Sequence, residues 1–167
     1  MAPGSGTPPA VAFNAASLQQ LESEQDLLPP GSPRTIFVAA RDSGTTGGSI
    51  LCFRRSPRVF ALMTLDFGGT WYLYSDASIA ENNTTGSINS SALQAPFVAV
   101  ATCAGADQKF GLRLNGANVS VSQAGACSVE SGTQGFILGS RELDGYGWNG
   151  QIRSVLVYSR LLGTEES

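Results

Sequence analysis

Apolar residues in this chain gather in short runs divided by turn-forming residues, and no run carries a helical period of useful length. Thr35-Ile36-Phe37-Val38-Ala39-Ala40 is continuous and bounded by turn residues, the pattern of a strand buried on both faces or lying in a sandwich core. Residues 49–53, 59–65 and 71–75 read as further strands, separated by Arg54-Arg55-Ser56-Pro57-Arg58 and by Gly68-Gly69. In Trp71-Tyr72-Leu73-Tyr74 the faces alternate, so one of the pairs Trp71/Leu73 and Tyr72/Tyr74 belongs to the core. Residues 97–102 form another clear strand. Across 109–114 the apolar side chains fall at every second place, which puts Phe110, Leu112 and Leu114 on one face. Asn115-Gly116 follows at once, and such a pair readily supplies the positive φ angles of a type I′ hairpin turn, with 119–122 as the returning strand. Two more strands fall at 135–139 and 150–158. In the second, Gly150 allows a sharp entry, Ile152, Leu156 and Tyr158 share one face, and Val155 and Val157 share the other. This predicts a central strand covered on both sides.

The ends of the chain are less regular. Val11-Ala12-Phe13 and residues 18–22 are compatible with short strands ahead of a breaker, Leu28-Pro29-Pro30-Gly31-Ser32-Pro33. Residues 76–95 are polar and hold one short strand or none. Thr164 is a candidate helix cap, but the sequence stops three residues later. About nine short strands with frequent turn signals predict an all-β fold, an antiparallel β-sandwich over residues 11–167. Residues 1–10, MAPGSGTPPA, cannot bury enough apolar surface to form an element and read as an extended arm. Arms of this kind are ordered only when tied down, so a neighbouring subunit or partner is expected to hold it, with Pro3, Pro8 and Pro9 as its contact residues.

Composition narrows the chemistry. The 167 residues suit one domain with a full core. Net charge is −3, there is one lysine, and no basic run exceeds Arg54-Arg55, so the footprint of a nucleic-acid binder is missing. The absence of histidine excludes Ser-His-Asp and Cys-His catalysis and removes the commonest metal ligand. Cys52, Cys103 and Cys127 are far apart and read as small buried hydrophobes in preference to a disulfide plus a free thiol. No apolar run approaches the ~18 residues of a membrane span. The first nine residues lack the charged and apolar regions of a secretory signal.

The second half resembles the laminin G-like and concanavalin A-like jelly-roll superfamily. Residues 97–102 with Leu112-Arg113-Leu114-Asn115-Gly116 look like the family's paired strands. Residues 136–139, the loop Gly145-Tyr146-Gly147-Trp148-Asn149-Gly150 and residues 151–162 look like its closing segment, the most specific part of the match. Ala12-Phe13-Asn14 with Leu21-Glu22-Ser23 looks like its opening strand pair. The resemblance implies a jelly roll.

Some enzymes of this superfamily use two carboxylates carried together on one strand face. Here Glu22-Ser23-Glu24 and Glu142-Leu143-Asp144 have that spacing. Both lie beside turns, outside the family's catalytic pattern, so they read as solvated groups and the chain is expected not to be an enzyme. No cofactor is expected. The resemblance also raises a rim calcium, for which Asp42, Asp76, Asn82, Asn83, Asp144 and Asn149 are candidates; they show no fixed ligand spacing, and turn formation explains them all. Asn82, Asn83, Asn89 and Asn118 begin glycosylation sequons that chance accounts for in so Ser/Thr/Asn-rich a chain. Trp148 occupies a position that is usually a buried aromatic in the family, so core packing is expected of it. Tyr146, with Asp144 and Asn149, is the best candidate platform for a sugar.

The leading expectation is a non-enzymatic virion-surface protein. In this reading it is a capsid decoration (cement) protein of a tailed bacteriophage, binding the major capsid protein through its arm, with homo-oligomers allowed. The alternative is an extracellular carbohydrate-binding, lectin-like module or adhesin.

Overall fold

The computed structural model describes residues 9–17, 19–23, 25, 33–43, 48–53, 61–67, 70–76, 83–87, 94–103, 110–119, 121–122, 135–140 and 147–163. For 52–53, 61–67, 70–76, 83–87, 103, 110 and 121–122 it describes the backbone path alone. Within them lie thirteen strands: β1 (Val11–Phe13), β2 (Leu21–Ser23), β3 (Arg34–Asp42), β4 (Gly48–Phe53), β5 (Ala61–Phe67), β6 (Thr70–Asp76), β7 (Asn83–Ser87), β8 (Phe97–Cys103), β9 (Phe110–Leu114), β10 (Ala117–Asn118), β11 (Val121–Ser122), β12 (Phe136–Leu138) and β13 (Gly150–Tyr158). A turn of 3-10 helix spans Ala15–Ser17. The count exceeds the expected nine because the short β1 and β2 both form, β7 falls in the polar stretch, and the returning hairpin strand is divided into the two-residue β10 and β11.

Six strands form one sheet in the order β1-β13-β3-β8-β9-β10, and seven form the other in the order β11-β7-β6-β5-β4-β12-β2. The pairings are antiparallel. Inward residues of both sheets make one core, in which Ile36, Val38 and Ala40 of β3 meet Ile50 and Leu51 of β4 and Phe97, Ala99 and Ala101 of β8. The fold is therefore a jelly-roll β-sandwich. Ile36 and Val38 are each fully buried, contributing about 1.5–3 kcal/mol apiece.

Sequence alternation accounts for β3. Its even-numbered positions face inward, apolar at the centre and charged at the two buried ends, Arg34 and Asp42. Desolvation pushes the Arg34 guanidinium down to about 10. The group stays charged at every pH below that value, so Arg34 contributes no pH dependence to stability around neutrality, and the cost of burying its charge is relieved only as pH rises through about 10.

Four expectations are corrected. A register shift between Ile152 and Ser154 lets Arg153 bulge from β13. Ile152 consequently shares the inner face with Val155 and Val157, while Leu156 and Tyr158 point outward into solvent, and the strand is covered on one side only. The returning strand of the hairpin begins at Ala117 rather than 119, and Val121 and Ser122 have already crossed to pair with β7 in the other sheet. The segment expected over 18–22 is a strand over Leu21–Ser23. Finally, β1 and β2 do not pair with each other: β1 joins β13 and β2 joins β12, in opposite sheets.

The turn at Asn115-Gly116 is as expected, with φ of 50° and 82°. Asn115 adds a side-chain role, its Oδ1 accepting from the Val98 amide at 2.8 Å. A Cβ on Gly116 meets nothing within 4 Å, so Gly116→Ala is expected to cost about 1 kcal/mol from backbone strain alone. Chemical denaturation of the two proteins measures this directly.

Of the N-terminal arm only Pro9 and Ala10 are described, both exposed and outside any strand. Pro3, Pro8, Thr164, Cys127 and the side chains of Trp71, Tyr72, Leu73, Tyr74, Cys52 and Cys103 lie outside what is described. One short strand, β7, falls in the polar stretch, as expected.

Candidate functional site

The end of β3, the approach to β8 and the start of β13 converge at one end of the sandwich. Register fixes this: Gly150 pairs with Asp42 and Gln151 with Arg41, while Phe97 pairs with Ala40 on the other side of β3. The three segments enclose a cleft of about 320 Å³ lined by Arg41, Asp42, Ser43, Gln94 and Gln151. Every lining residue is polar. Arg41 Nε donates to the Gln94 carbonyl oxygen at 2.8 Å, which fixes the guanidinium plane against the β8 approach. The Ser43 amide donates to the Asn149 carbonyl oxygen at 2.9 Å and ties the closing loop to the cleft wall.

Beneath the cleft the 147–150 segment is anchored from below. Trp148 is fully buried in the core cluster, as expected, and its amide donates to the Gly139 carbonyl oxygen at 2.7 Å. Its Nε1 is buried without a hydrogen-bond partner among the described residues. The glycines flanking it permit backbone-to-backbone approach. A Cβ at Gly147 would sit 2.9 Å from Ala15 Cα, and one at Gly150 would overlap the Arg41 carbonyl oxygen. The glycine-rich spacing around Trp148 is thus a packing requirement that sets where the loop leaves the rim.

Two of the six calcium candidates, Asp42 and Asn149, come together here. Asp76 and Asn83 are register partners on β6 and β7 in the other sheet. Asn82, Asp144 and Tyr146 lie outside the described residues. Among the described residues no group of three or more His, Cys, Asp or Glu is assembled. Glu22 is exposed on β2, and Asn118 is exposed on β10, where its Oδ1 accepts from Arg113 Nε at 3.1 Å.

Arg41, Ser43, Gln94 and Gln151 carry no motif in the sequence. They come from three separate segments, and only the β13–β3 register and the Arg41–Gln94 bond bring them together. Chemically, a guanidinium, two carboxamides and a hydroxyl offer donors and acceptors side by side, which suits a ligand rich in hydroxyl groups.

No family model and no curated protein matches the sequence. Solved structures do. The chain is similar over 87% of its length to the native heptameric SAP-like pentraxin of Limulus polyphemus, with a TM-score of 0.68 and 16% identity, covering 71% of that chain. The CBM40 domain of the Ruminococcus gnavus IT-sialidase, solved bound to α2,3-sialyllactose, matches 89% of the chain over 96% of its own, with a TM-score of 0.60 and 16% identity. Domains LG4-5 of the mouse laminin α1 chain match 97% of the chain with a TM-score of 0.60 and 12% identity, and the chain spans 46% of that structure. These similarities establish the jelly-roll fold shared with laminin G-like and lectin-like domains.

Proposed function

We propose that the chain is a lectin-like module that binds a carbohydrate, without catalysis, at the rim where the polar cleft meets residues 147–150. The observation that carries this reading is the cleft itself, an all-polar concavity of about 320 Å³ at the end of a sandwich whose core Trp148 anchors the adjoining loop. Support comes from the likeness to a domain solved with sialyllactose. Arg41, Gln94 and Gln151 hydrogen-bond sugar hydroxyls and Asn149 flanks them, and Tyr146, the sequence's candidate platform just before Gly147, is the ring proposed to stack on the sugar. An extracellular or cell-surface setting goes with this role. The virion-decoration expectation rests on the Pro-rich arm, and the lectin-like relatives lend it no support.

A glycan array probed with the intact chain, followed by calorimetry on the best sugar, tests the proposal. Tyr146→Ala and Arg41→Ala are each expected to weaken binding about tenfold, or about 1.4 kcal/mol, with thermal stability unchanged. An intact chain that binds no sugar on the array overturns the reading.

A further inference from the structure

The two sheets part at one edge of the sandwich. There β1 and β13 of the six-stranded sheet face β2, β12 and β4 of the seven-stranded one across a cavity of about 220 Å³. Phe13, Ile152 and Val155 wall it from one sheet, and Leu51, Phe136 and Leu138 from the other. Phe136, Leu138 and Val155 pack against the core cluster, yet each is only partly buried, since each borders this space. Protein interiors are close-packed, so an apolar void of this size on the inner faces leaves its lining short of contacts that a ligand would restore. Val11 (48%) and Leu21 (49%), one from each edge strand, are its exposed apolar lips. The cavity shares no lining residue with the polar rim cleft, so the two sites are separate.

Among the described residues its polar lining is Arg153 and Ser154, and the bulge in β13 puts them there. β1 pairs with β13 as far as Val11 and Ile152; the register against β3 then slips, and Arg153 is left out of the ladder. Bulges re-aim side chains, and this one sets a guanidinium at an otherwise apolar cavity. Arg153 is exposed and has no ion-pair partner among the described residues. No carboxylate lines the cavity. Glu22, next to Leu21, alternates to the opposite face of β2 and accepts from Gln20 Nε2.

An apolar hole with one cation and one hydroxyl in its lining matches a molecule with an alkyl tail and a single anionic head. Arginine meets a carboxylate through two parallel N–H donors, and the Ser154 hydroxyl adds a third. Volume sets the tail. An apolar cavity of roughly 150 Å³ takes up benzene, and at about 30 Å³ per water-sized methylene this one holds about seven carbons. That is too little for two acyl chains or a sterol.

We propose that this cavity binds a medium-chain fatty acid, with the tail between the sheets and the carboxylate on Arg153. Calorimetric titration of the full chain with the straight-chain acids from hexanoate to dodecanoate tests it. Octanoate is expected to bind with a dissociation constant on the order of 10–100 µM. Affinity rises about three- to fourfold per methylene up to octanoate and levels off beyond it, where the cavity is full. Arg153→Gln, at an exposed position outside the ladder, weakens octanoate at least about tenfold, leaves the binding of 1-octanol unchanged and keeps the melting temperature. Failure of every acid to bind at about 1 mM overturns the proposal. So does an affinity that keeps climbing to dodecanoate, which places the tail on an open surface, or an Arg153→Gln protein that binds octanoate as tightly as the parent chain.

Discussion

Replacing Trp148 by Ala is expected to destabilise the fold by about 3–5 kcal/mol, lowering the melting temperature by roughly 10 °C, because the indole is fully buried among residues of both sheets and the cavity it leaves cannot collapse. The neighbouring glycines bring main chain, not flexible side chains, up to this segment, so little can relax inward. Trp148→Phe separates shape from polarity. It retains most of the packing and deletes an Nε1 that has no partner among the described residues, so it is expected to cost far less than the alanine change. Thermal unfolding of the three proteins decides this; equal melting temperatures for Trp148→Ala and the parent chain would remove the indole from the core.

Gly150→Ala is the second large effect, expected at about 3 kcal/mol. Its Cβ would overlap the Arg41 carbonyl oxygen and sit 2.9 Å from Trp148 Nε1 and 3.1 Å from Asp42 Cα. Two of these neighbours are backbone of β3, so the first rungs of the β13–β3 ladder must separate. The informative comparison is with Gly116→Ala, where φ is +82° but the surrounding space is empty. If close approach governs Gly150, its substitution is the costlier of the two by denaturation, and it also weakens sugar binding because Arg41 and Gln151 are opposite one another in that ladder. A Gly150→Ala protein as stable as the parent chain would show that β13 enters the sheet differently.

Some of this was legible in the residues and some was not. The run through β3 and the Asn115-Gly116 turn declare themselves because hydrophobic alternation and positive φ are local properties. Burial of Trp148 was expected from the resemblance to jelly-roll domains, not from the residues around it. The bulge at Arg153 has no local signature, and one inserted residue exchanges the faces of everything after it, which is why Leu156 and Tyr158 emerged on the outside. The hairpin strand that changes sheets after Val119 is similarly silent, since either sheet accepts the same Val-Ser alternation. The polar cleft is the least legible feature. Arg41 and Gln151 are 110 positions apart in the sequence, and nothing but sheet register makes them neighbours. Of the residues singled out beforehand as candidate sugar or calcium ligands, Asn149 and Asp42 were brought to that rim.

The position of β13 between β1 and β3 governs when the molecule can be completed. Its partners lie more than a hundred residues earlier in the chain, so during synthesis the first third of the polypeptide waits with β1 and β3 unjoined until the last strand clears the ribosome. A nascent chain stalled before Gly150 carries a long, apolar, unpaired edge along β3, the kind of edge on which chains aggregate. Slow, all-at-once closure in the range of milliseconds to seconds follows from where this one strand is inserted.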